Sequence, residues 1–501
     1  MNPPVFFGSA LAVIAFVVLG GAFTERSAAA FEASQLFVSR YFGWYYVLIV
    51  TAFLLVVIGL LFSRARRVRL GGPEARPEFG GIGWFAMLFA AGMGIGLVYF
   101  GVAEPLLHYL DPLRAEPGTP AARGEAMRLS YFHWGLHAWG IYIVLALAIA
   151  HAHFNRGLPL APRSVLEPLI GRRIEGWIGH AVDILCTVGT LLGVATSLGL
   201  GAMQINASLE AFFGWPSGTV IQVAIVAGIT AVATISVVSG IQKGVRRLSE
   251  ANIGLAGLLL LFVLLVGPTL YLVELFISSI GLYLQHLPRS SLYLDPGADS
   301  EWQTTWTLFY WGWWISWSPF VAIFVARISR GRTVREFILG VLLVPTVATF
   351  LWLAVFGGSA IWLETSAGAG AGIADAVKEN TARSLQSLLA ALPWGAVTTV
   401  AATLVILLFF ITSSDSGSLV DDMVTSGGDP HPPRAQRVFW AVSEGLVAAT
   451  LLVLGGLTAI RNAAITLGLP MSILLVAAAI ALIRSLRADP MATRGKGEGA
   501  R

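Results

Sequence analysis

Apolar runs about as long as a bilayer is thick recur twelve times along this chain, and nearly all of its charge lies in the short segments between them. A hydrocarbon core about 30 Å thick takes about 20 apolar residues as helix. Within that core every backbone N–H and C=O needs an internal partner, which leaves only helices and closed barrels. Runs of this length select helices. Their approximate cores are 4–23, 44–63, 82–105, 131–153, 177–203, 218–239, 252–272, 303–326, 336–360, 391–413, 437–457 and 468–483. The chain is 56% apolar and 12% charged, against about 25% charged in a soluble domain, so lipid is its principal solvent.

The sequence pI of about 9.3 would suit a nucleic-acid partner, but the basic residues flank apolar runs, as the positive-inside rule requires. Alternate loops, beginning with Arg64–Arg76 and ending with the tail, hold 23 of the 32 Lys and Arg residues. This asymmetry predicts both termini in the cytoplasm of a bacterial cell, with the chain in its inner membrane and no nucleic acid bound. Cys186 is the only cysteine, which excludes an intrachain disulfide and a Cys-rich metal site. Met1–Phe7 carries no basic residue, so the first run reads as a retained helix and not a signal peptide. Residues 273–287 place apolar groups at helical spacing with polar ones between and meet Pro288. That pattern predicts an amphipathic helix lying at the outer interface and ending at the proline.

Four strings carry chemistry. Gly92-Met93-Gly94-Ile95-Gly96 lies inside an apolar run with no strand before it, so it is a poor phosphate loop. Its glycines weaken the helix, which suits either a break that turns carbonyls toward an ion or close packing of small residues. In Trp306–Phe320, Trp313, Trp314 and Trp317 lie deep in the run beside Pro319. Trp313 and Trp317, four apart, share a helix face. In His133–Tyr142, Trp139 and Tyr142 are three apart and Trp134 precedes them by just over a turn. An aromatic cage is the usual receptor for a cation that cannot donate hydrogen bonds, each desolvated ring contributing roughly 0.5–2 kcal/mol; aromatic packing between helices gives the same pattern. His133 and His137, with no carboxylate motif beside them, read as polar packing residues. The string Phe409–Ser418 ends an apolar run with adjacent hydroxyls. These suit either a hard cation such as sodium or back-bonding to helix carbonyls. Asp415, at that boundary, is expected to pair with an arginine of the Arg327–Arg335 loop.

Along nearly its whole length the chain resembles the betaine/carnitine/choline transporters. The resemblance rests on GMGIG, on Trp134/Trp139/Tyr142, on WWISWSPF followed by ARISRGRTVREF, and on TSSDSGS. It implies an all-α integral membrane protein of twelve transmembrane helices, built as two inverted five-helix repeats after two extra N-terminal helices. The divisions would be 1–76 for the extra helices and loop, 77–272 for the first repeat, 273–300 for the connector, 301–483 for the second repeat and 484–501 for a polar tail. The resemblance implies an ammonium box of Trp134, Trp139, Tyr142 and Trp314, with Trp313, Trp317 and Phe320 lining the route beneath. The broken third span, at Gly94 and Gly96, or an indole N–H would meet the substrate's carboxylate. One sodium site would use Ala90, Met93 and Phe409 carbonyls with the Thr412 and Ser413 hydroxyls. A second would draw on Thr190 and Phe320. Sodium is the coupling ion expected, with no other cofactor, and a homotrimer is the expected assembly.

Two departures qualify this. Val194 stands where the sodium-coupled betaine carrier has a second threonine, which puts the second sodium site in doubt. The tail is short, against a long charged tail tied to osmotic sensing. No Lys or Arg occurs between Asp183 and Glu210, which favours an ion site over the arginine of sodium-independent relatives. Gly96 stands where choline-using relatives carry Asp, which favours a zwitterion such as glycine betaine. The competing expectations are a sodium-independent exchanger of carnitine- or choline-type compounds, and proton- or sodium-coupled uptake of choline, dimethylsulfoniopropionate or ectoine. No paired carboxylates, nucleophile motif or metal cluster is legible, so an enzyme is not expected.

Overall fold

The computed structural model describes residues 1–92, 94–239, 242–295, 301–366, 371–429 and 432–493. The helices that carry the fold are α1 (Pro3–Ala22), α2 (Thr24–Phe62), α3 (Gly81–Gly92), α4 (Ile95–Leu110), α5 (Pro120–Trp134), α6 (Leu136–Arg156), α7 (Trp177–Phe213), α8 (Thr219–Ser239), α9 (Gln242–Val266), α10 (Thr269–Ser291), α11 (Phe309–Ile328), α12 (Val334–Ser366), α13 (Gly395–Thr425), α14 (Arg434–Val453) and α15 (Leu457–Ala488). Among the described residues there is no β-strand. Among the described residues eleven helices are long and apolar enough to cross a membrane. One of these is α10, the expected connector. The twelve expected spans are the other ten, the broken pair α3–α4, and α8, whose apolar stretch is shorter.

The outermost side chains are apolar: Leu11, Leu55, Val220, Val397 and Ile473 are all more than half exposed. In water such a surface would aggregate; in lipid it is the ordinary exterior. The interior is formed by helices that are apolar or aromatic all round, the mark of a fully enclosed helix. In α6 every residue from His137 to Ala152 is buried, and α11 is buried over nearly its whole length. These two helices pack along each other at the centre, with α7 and α15 closing the other sides of α11. The packing repeats itself across the molecule. Helix α6 lies on α11 as α12 lies on α4, and α7 lies on α14 as α13 lies on α8.

Three interruptions position the site. The third span breaks before α4, where Gly94 is extended (φ −128°, ψ −175°). The fourth span, expected to be continuous over 131–153, is instead two helices. Gly135 turns out of helical geometry (φ −96°, ψ −137°), and a side chain there would lie 2.5 Å from the Tyr131 carbonyl and 2.9 Å from the Phe350 ring. The freed Leu136 N–H is met by the Tyr283 hydroxyl at 3.2 Å, so α10 caps α6. Helix α11 is entered through a π-turn at Thr304–Leu308, a device found often at functional sites.

Two boundary expectations are corrected. Pro288 does not end the connector; it lies inside α10, which runs to Ser291. The missing N–H of the proline costs a helical bond, which the packing of α10 on α5 and α12 offsets. The tail expected to be polar from Arg484 begins as helix, because α15 runs to Ala488 and buries Ser485 and Leu486.

Candidate functional site

The four expected box rings come from three helices and meet. Trp134 and Trp314 lie edge to face with centroids 5.0 Å apart. Tyr142 is 6.3 Å from Trp314, and Trp139 is 5.5 Å from Tyr142, again edge to face. All four are buried, with exposures of 3–5%. They line one cavity with Gly94, Gly96 and Trp313. Its free space is about 20 Å³, room for one water, so a trimethylammonium head enters only as the rings turn aside. Trp313 stacks on Trp314 at 4.7 Å, and Trp317 stacks on Phe320 at 5.6 Å. One face of α11 is therefore a ladder of rings leading down from the box. The i, i+3 and i, i+4 spacing that suggested these groupings holds within each helix; the Gly135 break lets α5 and α6 offer their rings to the same point.

The polar edges of the rings fall into two classes. Trp134 donates its N–H to Glu104 Oε2 at 2.7 Å, and Trp314 donates to the His133 carbonyl at 2.9 Å. Neither acceptor lines the cavity, so these indoles have their positive edges tied elsewhere and contribute ring surface to it. The Trp313 and Trp317 N–H groups and the Tyr142 hydroxyl are buried without a hydrogen-bond partner. Buried donors are rarely left so, and these three lie on residues of the cavity wall. The N-terminus of α4 abuts the same cavity through Gly94, Gly96 and Leu97, and a helix start carries partial positive charge and N–H groups without helical partners. A side chain at Gly96 would run into the Trp313 ring. The arrangement offers electron-rich faces for a cation and free donors for an anion, the two ends of a zwitterion.

Larger chambers lie on either side. One of about 530 Å³ opens toward the arginine-rich loops and shares Gly94 and Trp317 with the box. Another of about 620 Å³ lies on the opposite side, walled by Phe132, Trp302 and Thr307 among others. The first also receives Phe320, Phe409, Thr412 and Ser413, so four residues expected for ion binding or the lower route face one space. Ala90 lies in α3; Met93 lies outside the described residues. Thr412 donates to the Leu408 carbonyl at 2.8 Å, the back-bonding that competed with ion binding in the sequence. Such a hydroxyl keeps its lone pairs, so it fits a cation as well. Thr190 is buried with a free hydroxyl, whereas Thr187 and Thr196 on the same helix bond back to Asp183 and Leu192. Val194, also buried, stands one turn on and offers no oxygen.

Behind the box lies a polar network that helix spacing does not reveal. Glu104, buried in α4, holds His133 Nδ1 at 2.6 Å, the Trp134 N–H and the Tyr310 hydroxyl at 2.5 Å. His133 also reaches Thr307 at 3.1 Å, on the π-turn. Both histidines have the polar packing roles expected, His133 on Glu104 and Thr307 and His137 on Ser291 at 3.0 Å. Glu104, His108 and His133 each bring a ligand-type atom within 4.8 Å of the others. Both Glu104 oxygens, however, already meet N–H and O–H donors, and a hydrogen-bond network accounts for the geometry. The signal that points to Glu104 is a carboxylate inside an apolar run, which in a membrane marks function by default. The arginine acting on Asp415 is Arg437, not one from the Arg327–Arg335 loop; Arg437 also pairs with Asp422 at 3.7 Å.

Comparison with known proteins agrees with this geometry. The profile of the betaine/carnitine/choline family of transporters matches residues 4–491. A transporter of Mycobacterium tuberculosis is 49% identical over 98% of this chain and 84% of its own. The glycine betaine transporter OpuD of Bacillus subtilis is 43% identical, over 96% and 94% respectively. A glycine betaine/proline/choline transporter of Vibrio parahaemolyticus is 42% identical, over 97% and 90%. A profile and relatives that span almost the full length place the chain in the betaine/carnitine/choline transporter family: it is a multi-pass membrane carrier of betaine- and choline-type solutes, not an enzyme.

Proposed function

We propose that this carrier accumulates a quaternary-ammonium solute, glycine betaine foremost, by sodium symport with alternating access. The observation that carries the reading is the meeting of Trp134, Trp139, Tyr142 and Trp314 around one cavity. The trimethylammonium head lies against the four faces, each worth roughly 0.5–2 kcal/mol. The carboxylate turns to the start of α4 and to the free N–H and O–H groups of Trp313, Trp317 and Tyr142. Gly96 supports a substrate that brings its own carboxylate, since the Trp313 ring occupies the space an aspartate would need there.

Sodium is held by carbonyls of Ala90, Met93 and Phe409 with the Thr412 and Ser413 hydroxyls. It supplies the gradient and a fixed positive charge between α3 and α13. Thr190 and Phe320 are the surviving half of a second site. One ion suffices: a charge crossing about 100 mV is worth about 2.3 kcal/mol, roughly a fifty-fold concentration ratio. The chambers of about 530 and 620 Å³ on either side of the box serve as its two vestibules. The repeated packing of α4, α6, α11 and α12 supports two inverted repeats (77–272 and 301–483) that rock about the site. On the distribution of Lys and Arg, we place the arginine-rich face and both termini in the cytoplasm of a bacterial inner membrane. The family resemblance supports a homotrimer.

Uptake of labelled betaine into vesicles bearing the purified chain tests the reading. Accumulation driven by an inward sodium gradient, lost on replacing sodium with potassium and blocked by excess unlabelled betaine, is the expected result. Undiminished uptake without sodium, dependent on solute preloaded inside, would instead establish exchange.

A further inference from the structure

Glu104 has no place in the binding reaction as described so far, yet it is the most heavily bonded carboxylate near the box. It is fully buried. Oε2 receives the Trp134 N–H at 2.7 Å and the Tyr310 hydroxyl at 2.5 Å. Oε1 faces His133 Nδ1 at 2.6 Å and His108 Nε2 at 3.5 Å. The tryptophan N–H can only donate, and an ionised carboxylate is the side chain that accepts several donors at once. The nearby arginine, Arg461, is half-buried and lies over the Trp306 and Phe309 rings at 5.7 and 5.4 Å instead of touching the carboxylate. The negative charge of Glu104 is therefore passed mainly to hydrogen-bond donors, and one of those donors is a wall of the box.

We propose that Glu104 is a positioning and specificity-determining residue for the ammonium head. Its carboxylate fixes the Trp134 indole through a charge-assisted bond and enriches the ring face that the cation meets. The inference rests on the box reading above and deepens it. A carboxylate bonded to an indole N–H pushes electron density toward the ring, and the attraction of a cation to a ring follows the charge on its face. The same network fixes the second tryptophan, because His133, bonded to Glu104, offers its carbonyl to Trp314. Glu104 thus orders two of the four rings without touching the substrate. It also keeps the charge one ring away from the cation, so the carboxylate of a zwitterion is not repelled at contact distance. Selection follows: a head of the same shape without charge gains nothing from Glu104.

The test compares glycine betaine with tert-butylacetate, the carboxylate in which carbon replaces the ammonium nitrogen. Each competes against labelled betaine on the purified full-length carrier. The wild type should prefer betaine. Glu104→Gln, which keeps shape and one acceptor but removes the charge, should reduce that preference about tenfold by weakening betaine while leaving tert-butylacetate unchanged. Equal weakening of both compounds, or an unchanged preference, overturns the inference and leaves the box standing. A wild type that does not bind betaine at all overturns the box and this inference with it. Should Glu104→Gln fail to reach the membrane, 3-benzothienylalanine in place of Trp134 reads the same bond, since sulfur replaces the indole N–H and the bicyclic ring is kept. It should reduce the preference in the same direction, and a preference equal to wild type overturns the inference.

Discussion

Two sets of buried acids, one beside the box and one toward the arginine-rich face, are treated in opposite ways. Glu104 is hydrogen-bonded to α5 and α11, using both oxygens. On α13, neither Asp421 oxygen nor either Asp422 oxygen has a hydrogen-bond partner, and Arg437 approaches Asp422 only to 3.7 Å. Glu444 on α14 has a single partner, Ser414 at 2.7 Å. A bonded buried carboxylate fixes its neighbours in one geometry, whereas a buried carboxyl without a hydrogen bond positions nothing itself. The difference teaches which acids hold structure: Glu104 orders the rings behind the box, whereas the joint between α13 and α14 is made by Gln436, Trp440 and Ser414, with no hydrogen bond to the Asp421 or Asp422 carboxyls.

Substitutions that treat the two sets alike should therefore give unlike results. Glu104→Ala strands the Trp134, Tyr310 and His133 donors, and should cost about 3–5 kcal/mol of stability. The readout is a large fall in the thermal midpoint of the detergent-solubilised protein. Asp421→Asn changes a buried carboxyl that no hydrogen bond holds, and should leave that midpoint within about 0.5 kcal/mol of wild type or raise it. A comparable fall in both variants would erase the contrast. Beside the fixed set, Trp314→Ala should weaken betaine by at least 1 kcal/mol, or about fivefold or more. On the other side, Thr412→Ala should raise the sodium concentration for half-maximal uptake severalfold with a smaller effect on saturating rate, because one of several oxygen ligands is lost. The smallest effect is expected of Val194→Thr. It restores a hydroxyl one turn from Thr190, and should steepen the dependence of uptake on sodium without changing betaine affinity.

Much of this was legible in the sequence, for a physical reason. Helix spacing is local, so Trp139 with Tyr142, and Trp313 with Trp317, declare a shared face without knowledge of the fold. Length and charge between runs give the spans, and the glycines of Gly92–Gly96 allow the broken third one, though they suit close packing equally. What was not legible depends on distance along the chain. Glu104 meets its partners 29, 30 and 206 residues away, so the acid inside an apolar run marks the place but not what it binds. Gly135 looked like one more small residue within a run; the Phe350 ring that forbids a side chain there comes from another helix. Pro288 looked like a stop because the rule for proline is local, and the packing of α10 on α5 and α12 that carries the helix past it is not. The resemblance to a known family supplied the assignment of Trp314 to the same box as Trp134, which spacing alone leaves open.

The claim on which the rest depends is that indole and phenol faces hold the methylated cation, and its most direct test is the concentration dependence of betaine uptake by wild type and Trp314→Ala in vesicles of equal protein content. A half-saturation raised about fivefold or more in the variant, with its helical content intact, is the predicted result. An unchanged half-saturation in a correctly folded variant would contradict it.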